Sequence, residues 1–179
     1  MGCMIASSQS SDTRFTLHFG ADHGGFDLKE ALIQRAKKSH YSVVDHGAFA
    51  FDPSDDYPQF AFAVAQAVTV TAGSLSVSNQ MNLPRDFGVL LCRSGGGMTI
   101  AANKVKGARA VAVTDARSCE HAMVHNNANC IVLAADWLSG ETQAWELVDL
   151  CLAAAVSPAE RHMRRLAQIA SYEMEKYQA

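Results

Sequence analysis

Residues 88–98, Gly-Val-Leu-Leu-Cys-Arg-Ser-Gly-Gly-Gly-Met, hold the groups best suited to chemistry. An apolar run ends in Cys92. Gly95, Gly96 and Gly97 follow, and residues 99–104 have helical composition. A cysteine in that position is a candidate thiolate base if a helix N-terminus and a cation such as Arg93 lower its pKa. The glycines let backbone N–H groups converge on an anion, helped by the dipole of the next helix. A base beside an anion hole suits removal of a proton next to a carbonyl. Two plainer readings stay open from these residues alone. A cysteine closing an apolar strand is often a buried structural thiol, and a glycine-rich strand–helix turn also marks nucleotide-binding folds.

Three more clusters are candidate partners. Gly20-Ala21-Asp22-His23-Gly24-Gly25 is a second glycine-flanked turn. Asp22 suits a sugar hydroxyl and His23 a ring oxygen or phosphate, although Asp22 equally suits a cap for the following helix. In Val124–Asn129, His125 is a candidate acid/base near neutral pH and Asn126 a donor to a developing oxyanion. The same two residues also fit a helix C-terminus. Arg161 and Arg165 are four apart, so on a helix they share a face that can bracket a phosphate or carboxylate, or simply face solvent. His121 and His125 are likewise four apart, but no third ligand accompanies them, and no metal site is expected.

These residues need strand ends and helix starts to hold them. Strand-like runs at Phe15–Phe19, Tyr41–Val44, Phe87–Leu91, Arg109–Val113 and Cys130–Leu133 alternate with helix-like stretches. Phe26–Lys38 carries Leu28, Leu32, Ile33 and Ala36 at helical spacing. Tyr57–Val68, Gly97–Lys104, Ala116–Val124 and Glu141–Ala154 read as further helices. A last helix is expected over Pro158–Tyr177, with Pro158 at its first position and Ser157 as N-cap. The alternation predicts an α/β, Rossmann-like doubly wound sheet of about five parallel strands with a long C-terminal helix. Ligands of such sheets bind beyond the carboxyl ends of the strands, near a switch point. Asp22, His23, Asp45, His46, Cys92–Gly97 and Asp136 fall there.

The Ser-rich residues 1–13 read as a disordered tail rather than a signal peptide, and 14–179 as a single domain. Within that domain, 70–86 reads as a loop insertion and 158–177 as the C-terminal helix. A length of 179 residues, 49% hydrophobic and 18% charged, is enough for one full core. A net charge of −3 without a basic run gives no footprint for nucleic acid. The five cysteines have no paired spacing, which favours reduced thiols and a cytoplasmic setting. No run reaches the roughly 18 apolar residues of a membrane span.

Taken together, GADHGGFDLKE (20–30), DDYP (55–58), GVLLCRSGGGMTIAANKVKGARA (88–110), HNNAN (125–129) and RHMRR (161–165) resemble the type B ribose-5-phosphate isomerases and their galactose-6-phosphate isomerase relatives. The pieces run in the family's order and span most of the chain from about residue 15. The resemblance implies aldose–ketose isomerisation without metal or organic cofactor. It also implies a homodimer or homotetramer whose active site lies between subunits. Cys92 would move a proton between C1 and C2. Ser94 and the N–H groups around Gly95, Gly96 and Gly97 would hold the cis-enediolate, with Asn126 helping. His125 would open the sugar ring. Asp22 and His23 would hold ring-end hydroxyls, Tyr57 would line the pocket, and Arg161 and Arg165 would take the phosphate. Some branches use a glutamate as base at the position of Met98. Methionine cannot serve, which leaves Cys92.

Two positions depart from the family pattern. Arg93 stands where a glycine is usual, and Asp136 stands where phosphate-binding members carry an arginine. A carboxylate repels a phosphate dianion. An alternative substrate is therefore an unphosphorylated sugar or keto-uronate, with Arg93 on its carboxylate and Asp136 on a hydroxyl. Two readings of another kind are a non-catalytic nucleotide- or phosphate-binding module and an inactive subunit of a hetero-oligomer.

Overall fold

The computed structural model describes residues 15–70 and 85–176. Five strands, β1 (Phe15–Ala21), β2 (Ser42–Asp45), β3 (Arg85–Cys92), β4 (Ala110–Val113) and β5 (Cys130–Ala134), form one sheet in the order β2-β1-β3-β5-β4. Every pairing is parallel. Parallel neighbours need crossover helices, and these cover both faces. On one side α1 (Phe26–Lys38), α4 (Ala116–Glu120) and α5 (Glu141–Ala153) pack on Leu17, Phe19, Val89, Leu91, Ile131 and Leu133. On the other, α2 (Tyr57–Val70) and α3 (Gly96–Ala102) pack Ala61, Val64, Ala65, Met98 and Ala102 on Leu90, Cys92, Cys130 and Val132. The sheet reverses its winding between β1 and β3, where a doubly wound fold leaves its crevice.

Helix α1 has the bounds its spacing predicts, and Leu32, Ile33 and Ala36 are the buried stripe. The other bounds move. α4 gives way after Glu120 to a π-helical turn, His121–His125. Asn127 ends it in the left-handed region (φ 46°), a conformation asparagine tolerates. The last helix, α6, spans Glu160–Lys176 rather than starting at Pro158. The Ala159 carbonyl accepts the first helical N–H groups, from His162 and Met163. Ser157 Oγ accepts from the N–H of Ala159, one turn earlier than a helix cap. The proposed insertion is narrower than 70–86, because Val70 belongs to α2 and Arg85 and Asp86 to β3. Residues 71–84 and the tail at 1–13 lie outside the described residues. The cysteines at 92, 119, 130 and 151 are buried free thiols, and no described helix is long and apolar enough to cross a membrane.

The turn leading into α1 sits against the end of β3. A Cβ on Gly25 would lie 2.6–2.8 Å from Leu91 Cβ and its backbone C and O. One on Gly24 would lie 2.5 Å from Arg93 Cγ. Backbone cannot yield as a flexible side chain can, so Gly25→Ala should destabilise the protein by about 1–3 kcal/mol. A urea midpoint unchanged from wild type would contradict this close approach.

Candidate active site

The carboxyl edge of β1, β3 and β5 gathers most of the expected site. Cys92 is the last residue of β3 and is 6% exposed. Gly95 follows at φ 79°, a left-handed conformation that suits glycine and turns the chain into α3. Its N–H points at Cys92 Sγ, at 3.1 Å. The exposed Ser94 and Gly96 and the half-buried Gly97 complete the loop. A Cβ on Gly97 would lie 2.6 Å from Tyr57 Cζ and 2.8 Å from its hydroxyl, so the phenol of Tyr57 lies on the loop. Asp22, at the end of β1, is 7% exposed. Its Oδ1 accepts from the N–H groups of Gly24 (2.9 Å) and Gly25 (3.2 Å), which braces the turn before α1. His23 is tied to Asp55, whose Oδ1 accepts from the His23 backbone N–H (2.9 Å) and from Nδ1 (2.8 Å).

The two residues that break the family pattern meet each other. Arg93 Nη1 lies 3.6 Å from Asp136 Oδ2, and the Asp136 N–H donates to the Arg93 carbonyl at 3.1 Å. Both side chains are exposed, so this is a screened surface pair rather than a strong one. It nevertheless gives the Asp136 carboxylate a cation of its own.

Burial decides the state of the thiol. Desolvation pushes the Cys92 pKa above its ordinary value. The Gly95 N–H works against this, the negative charge of Asp22 adds to it, and the N–H groups of Met98 and Ser94 oppose it more weakly. The expectation of a lowered pKa is thus corrected: the N–H groups are in place, but burial outweighs them and Arg93 pairs with Asp136. Burial also raises the carboxyl pKa of Asp22.

His125 and Asn126 are elsewhere. They precede β5, so they lie at its amino end, whereas Cys92 ends β3. In the β3–β5 register Gly88 pairs with Cys130 and Cys92 with Ala134. Four residues at about 3.3 Å each put roughly 13 Å between the two edges. There, His125 and Asn126 line a cleft of about 400 Å³ with Asn103, Arg109, His121, His162, Arg165 and Ile169. The His125 ring packs between those of His121 (4.7 Å between centroids) and His162 (4.4 Å), tilted to both. Desolvation first, then His162, His121 and Arg161, hold its pKa below the usual imidazole range. Arg161 Nε donates to His162 Nε2 at 2.8 Å, so part of its guanidinium is already engaged.

Sequence reading missed Asp55, His162 and Arg109. Arg109 Nε donates to the Asn127 carbonyl at 2.7 Å, which anchors the turn carrying His125. Asp55 lies in the DDYP piece and His162 between the two arginines, but His23, which Asp55 meets, and His125, against which the His162 ring packs, are far off in the chain.

The chain matches the model of the ribose/galactose isomerase family over residues 17–169. It is 35% identical to ribose-5-phosphate isomerase B of Mycobacterium tuberculosis over 88% of this chain and 89% of that one. Against the same enzyme of Mycolicibacterium paratuberculosis it is 36% identical, over 88% and 91%. Among solved structures it is similar to ribose-5-phosphate isomerase B of Mycoplasma genitalium with bound ribulose-5-phosphate. That likeness has TM-score 0.80 and 34% identity, and covers 92% of this chain and 99% of that chain.

A thiol with a raised pKa is protonated at neutral pH, so its reactivity must climb with pH as the thiolate forms. Alkylation of Cys92 by iodoacetamide should rise steadily through neutral into alkaline pH. Asp22→Asn, which removes the opposing negative charge, should move the rise to lower pH. A wild-type plateau at or below neutral pH would contradict the burial argument.

Proposed function

We propose that this chain, which belongs to the ribose/galactose isomerase family and is an aldose–ketose isomerase, interconverts a sugar phosphate through a cis-enediolate with Cys92 as the base. Ribose 5-phosphate is the first candidate substrate, since the two mycobacterial relatives compared above carry that name. The observation that carries the reading is the Gly95 N–H aimed at Cys92 Sγ inside a turn of three glycines. It puts an anion-stabilising backbone and a proton acceptor in one place.

The Cys92 thiolate removes the proton from C2, and the C–H electron pair moves toward the carbonyl to leave an oxyanion. The loop N–H groups and the Ser94 hydroxyl hold that charge as it develops; the hydroxyl proton of O2 passes to O1, and Cys92 returns its proton at C1 as O2 becomes the carbonyl. Donors of this kind are each worth about 2.7–4 kcal/mol. Asp22, His23 and Tyr57 hold the sugar at the same edge. His125 opens the ring, Asn126 donates to the oxyanion, and Arg165 with the free part of Arg161 takes the phosphate. The pairing of Arg93 with Asp136 supports a phosphorylated substrate over a keto-uronate, because the carboxylate has its own cation and the guanidinium is engaged.

The two edges are too far apart to act within one chain. A site with both Cys92 and His125 therefore takes one edge from each of two copies, which supports a homo-oligomer. The exposed apolar side chains Phe49, Phe51 and Trp137 are consistent with such a contact.

Two experiments test this reading. The protein should convert ribose 5-phosphate to ribulose 5-phosphate and exchange the C2 proton in heavy water. Cys92→Ala should lower kcat/KM by about 10²-fold or more with the fold retained. Full activity of that variant, or turnover of unphosphorylated uronates alone, would overturn the respective part. Second, inactive Cys92→Ala and His125→Ala proteins, mixed and allowed to exchange subunits, should recover about a quarter of wild-type activity through hybrid dimers with one intact site. No recovery despite demonstrated exchange would place both residues in a single-chain site.

A further inference from the structure

We propose that His162 is a positioning residue of the isomerisation site: its ring, held by Arg161, backs the ring of His125 and fixes it for the opening of the sugar ring. The inference rests on the isomerase reading above, in which His125 opens that ring. It adds a residue that acts through His125 rather than on the substrate.

Helix α6 buries a single residue, His162, while Met163, Ile169, Tyr172 and Met174 of the same helix are exposed. Burying an imidazole costs free energy unless its nitrogens find hydrogen-bond partners. Arg161 is such a partner, with Nε donating to His162 Nε2 at 2.8 Å. A guanidinium only donates, so Nε2 presents a lone pair and the ring proton sits on Nδ1. A proton on Nε2 would set two cations against each other at that distance. Arg161 thus holds His162 in one neutral tautomer. The His162 ring lies 4.4 Å from that of His125 between centroids, tilted by 38°. Two backbone carbonyls pin the π-helical turn that carries His125. Val124 accepts from the N–H of Ser157, just ahead of α6, at 2.9 Å, and Asn127 accepts from Arg109 Nε.

Opening a sugar ring moves a proton from the C1 hydroxyl to the ring oxygen. The O–H pair closes the C1 carbonyl, the C1–O bond breaks, and its electron pair stays on the ring oxygen, which takes the proton. An imidazole that carries this proton has to start neutral. Desolvation is the first cause that favours neutral His125, followed by His162, His121 and Arg161, with Glu120 opposing. Arg109 and Arg165 line the same cleft. His121, the neighbour on the other side, is exposed. The buried ring of His162 is therefore the one that shields a face of His125 from water.

Ribulose 5-phosphate separates ring opening from proton transfer, because its C5 oxygen is esterified and it has no furanose form. Exchange of its C1 proton in heavy water reports the enediolate step alone, whereas turnover of ribose 5-phosphate needs both steps. His162→Ala should lower kcat on ribose 5-phosphate by about tenfold, while ribulose 5-phosphate still exchanges at near the wild-type rate. A base whose pKa is lowered stays unprotonated to a lower pH, so the acid limb of kcat/KM should move to higher pH in the variant. His162→Gln, which keeps an acceptor for Arg161 but no ring, should act in the same direction. In a His125→Ala background His162→Ala should add no further loss, because its effect passes through His125. Nitrogen-15 NMR of the wild-type protein should show His162 protonated at Nδ1 and bare at Nε2. Equal losses of exchange and turnover would make His162 a support of the fold and overturn the proposal. So would an unmoved acid limb, additive losses in the double variant, or a wild-type His162 ring protonated at Nε2. If His162→Ala fails to fold, the same readouts on His162→Gln and the wild-type spectrum decide. A wild-type protein that turned over no aldose phosphate would instead defeat the isomerase reading. The NMR titration of His125 in wild type and His162→Gln would still report whether His162 acts on that ring.

Discussion

The close approach of two backbones at the switch between β1 and β3 is the constraint on which the rest of the site depends. Gly25 sits on the backbone of Leu91, and Gly24 sits on Arg93, with no room for a side chain at either. That contact brings the turn carrying Asp22 and His23 against the loop carrying Cys92. It is a consequence of parallel pairing between β1 and β3, which ends both strands on the same side of the sheet. A fold with those strands antiparallel would send the two turns to opposite edges.

The same edge is held from behind by a buried cation. Lys29, fully buried on α1, donates to both carboxylate oxygens of Asp45 and to the Ala48 carbonyl, each at 2.8 Å, and pairs with Glu30. A lysine is removed from water only when such partners replace the lost hydration. Here they fix the segment after β2 against α1, beside the turn that carries His23. Next to it His18, His46 and Asp86 form a chain of contacts, with 2.9 Å between the two imidazoles and 3.0 Å from His18 to Asp86.

Electrostatics divides the work between the two edges. At the carboxyl edge, desolvation keeps Cys92 as a thiol and Asp22 less acidic than usual, and the oriented N–H groups of the glycine loop supply the opposing field. At the amino edge, desolvation first, then the neighbouring imidazoles of His162 and His121 and the guanidinium of Arg161, keep His125 neutral more readily than a free histidine. Neither edge alone holds all the residues of the proposed site. The distance between them is set by strand length, which no side-chain rotation can shorten.

Local pattern determined a great deal. The spacing of Leu28, Leu32, Ile33 and Ala36 defined α1, because one buried stripe at helical period admits no other element. Apolar runs ending in Asp22 and Cys92 located the carboxyl edge, because a strand covered on both faces must be apolar throughout. Glycines after Cys92 marked the turn into α3, because Gly95 adopts a positive φ there. Tertiary structure alone decided the remainder. Asp55 meets His23 across 32 residues, and Arg93 meets Asp136 across the β3–β5 pairing, contacts that no local period encodes. The thiol's pKa moved opposite to the direction its glycine-rich neighbours suggest, because burial is a property of the packed core around Cys92 rather than of the residues beside it. His125 and Cys92 look like members of one site in the linear chain, yet the sheet separates them, since one lies before a strand and the other after its parallel neighbour.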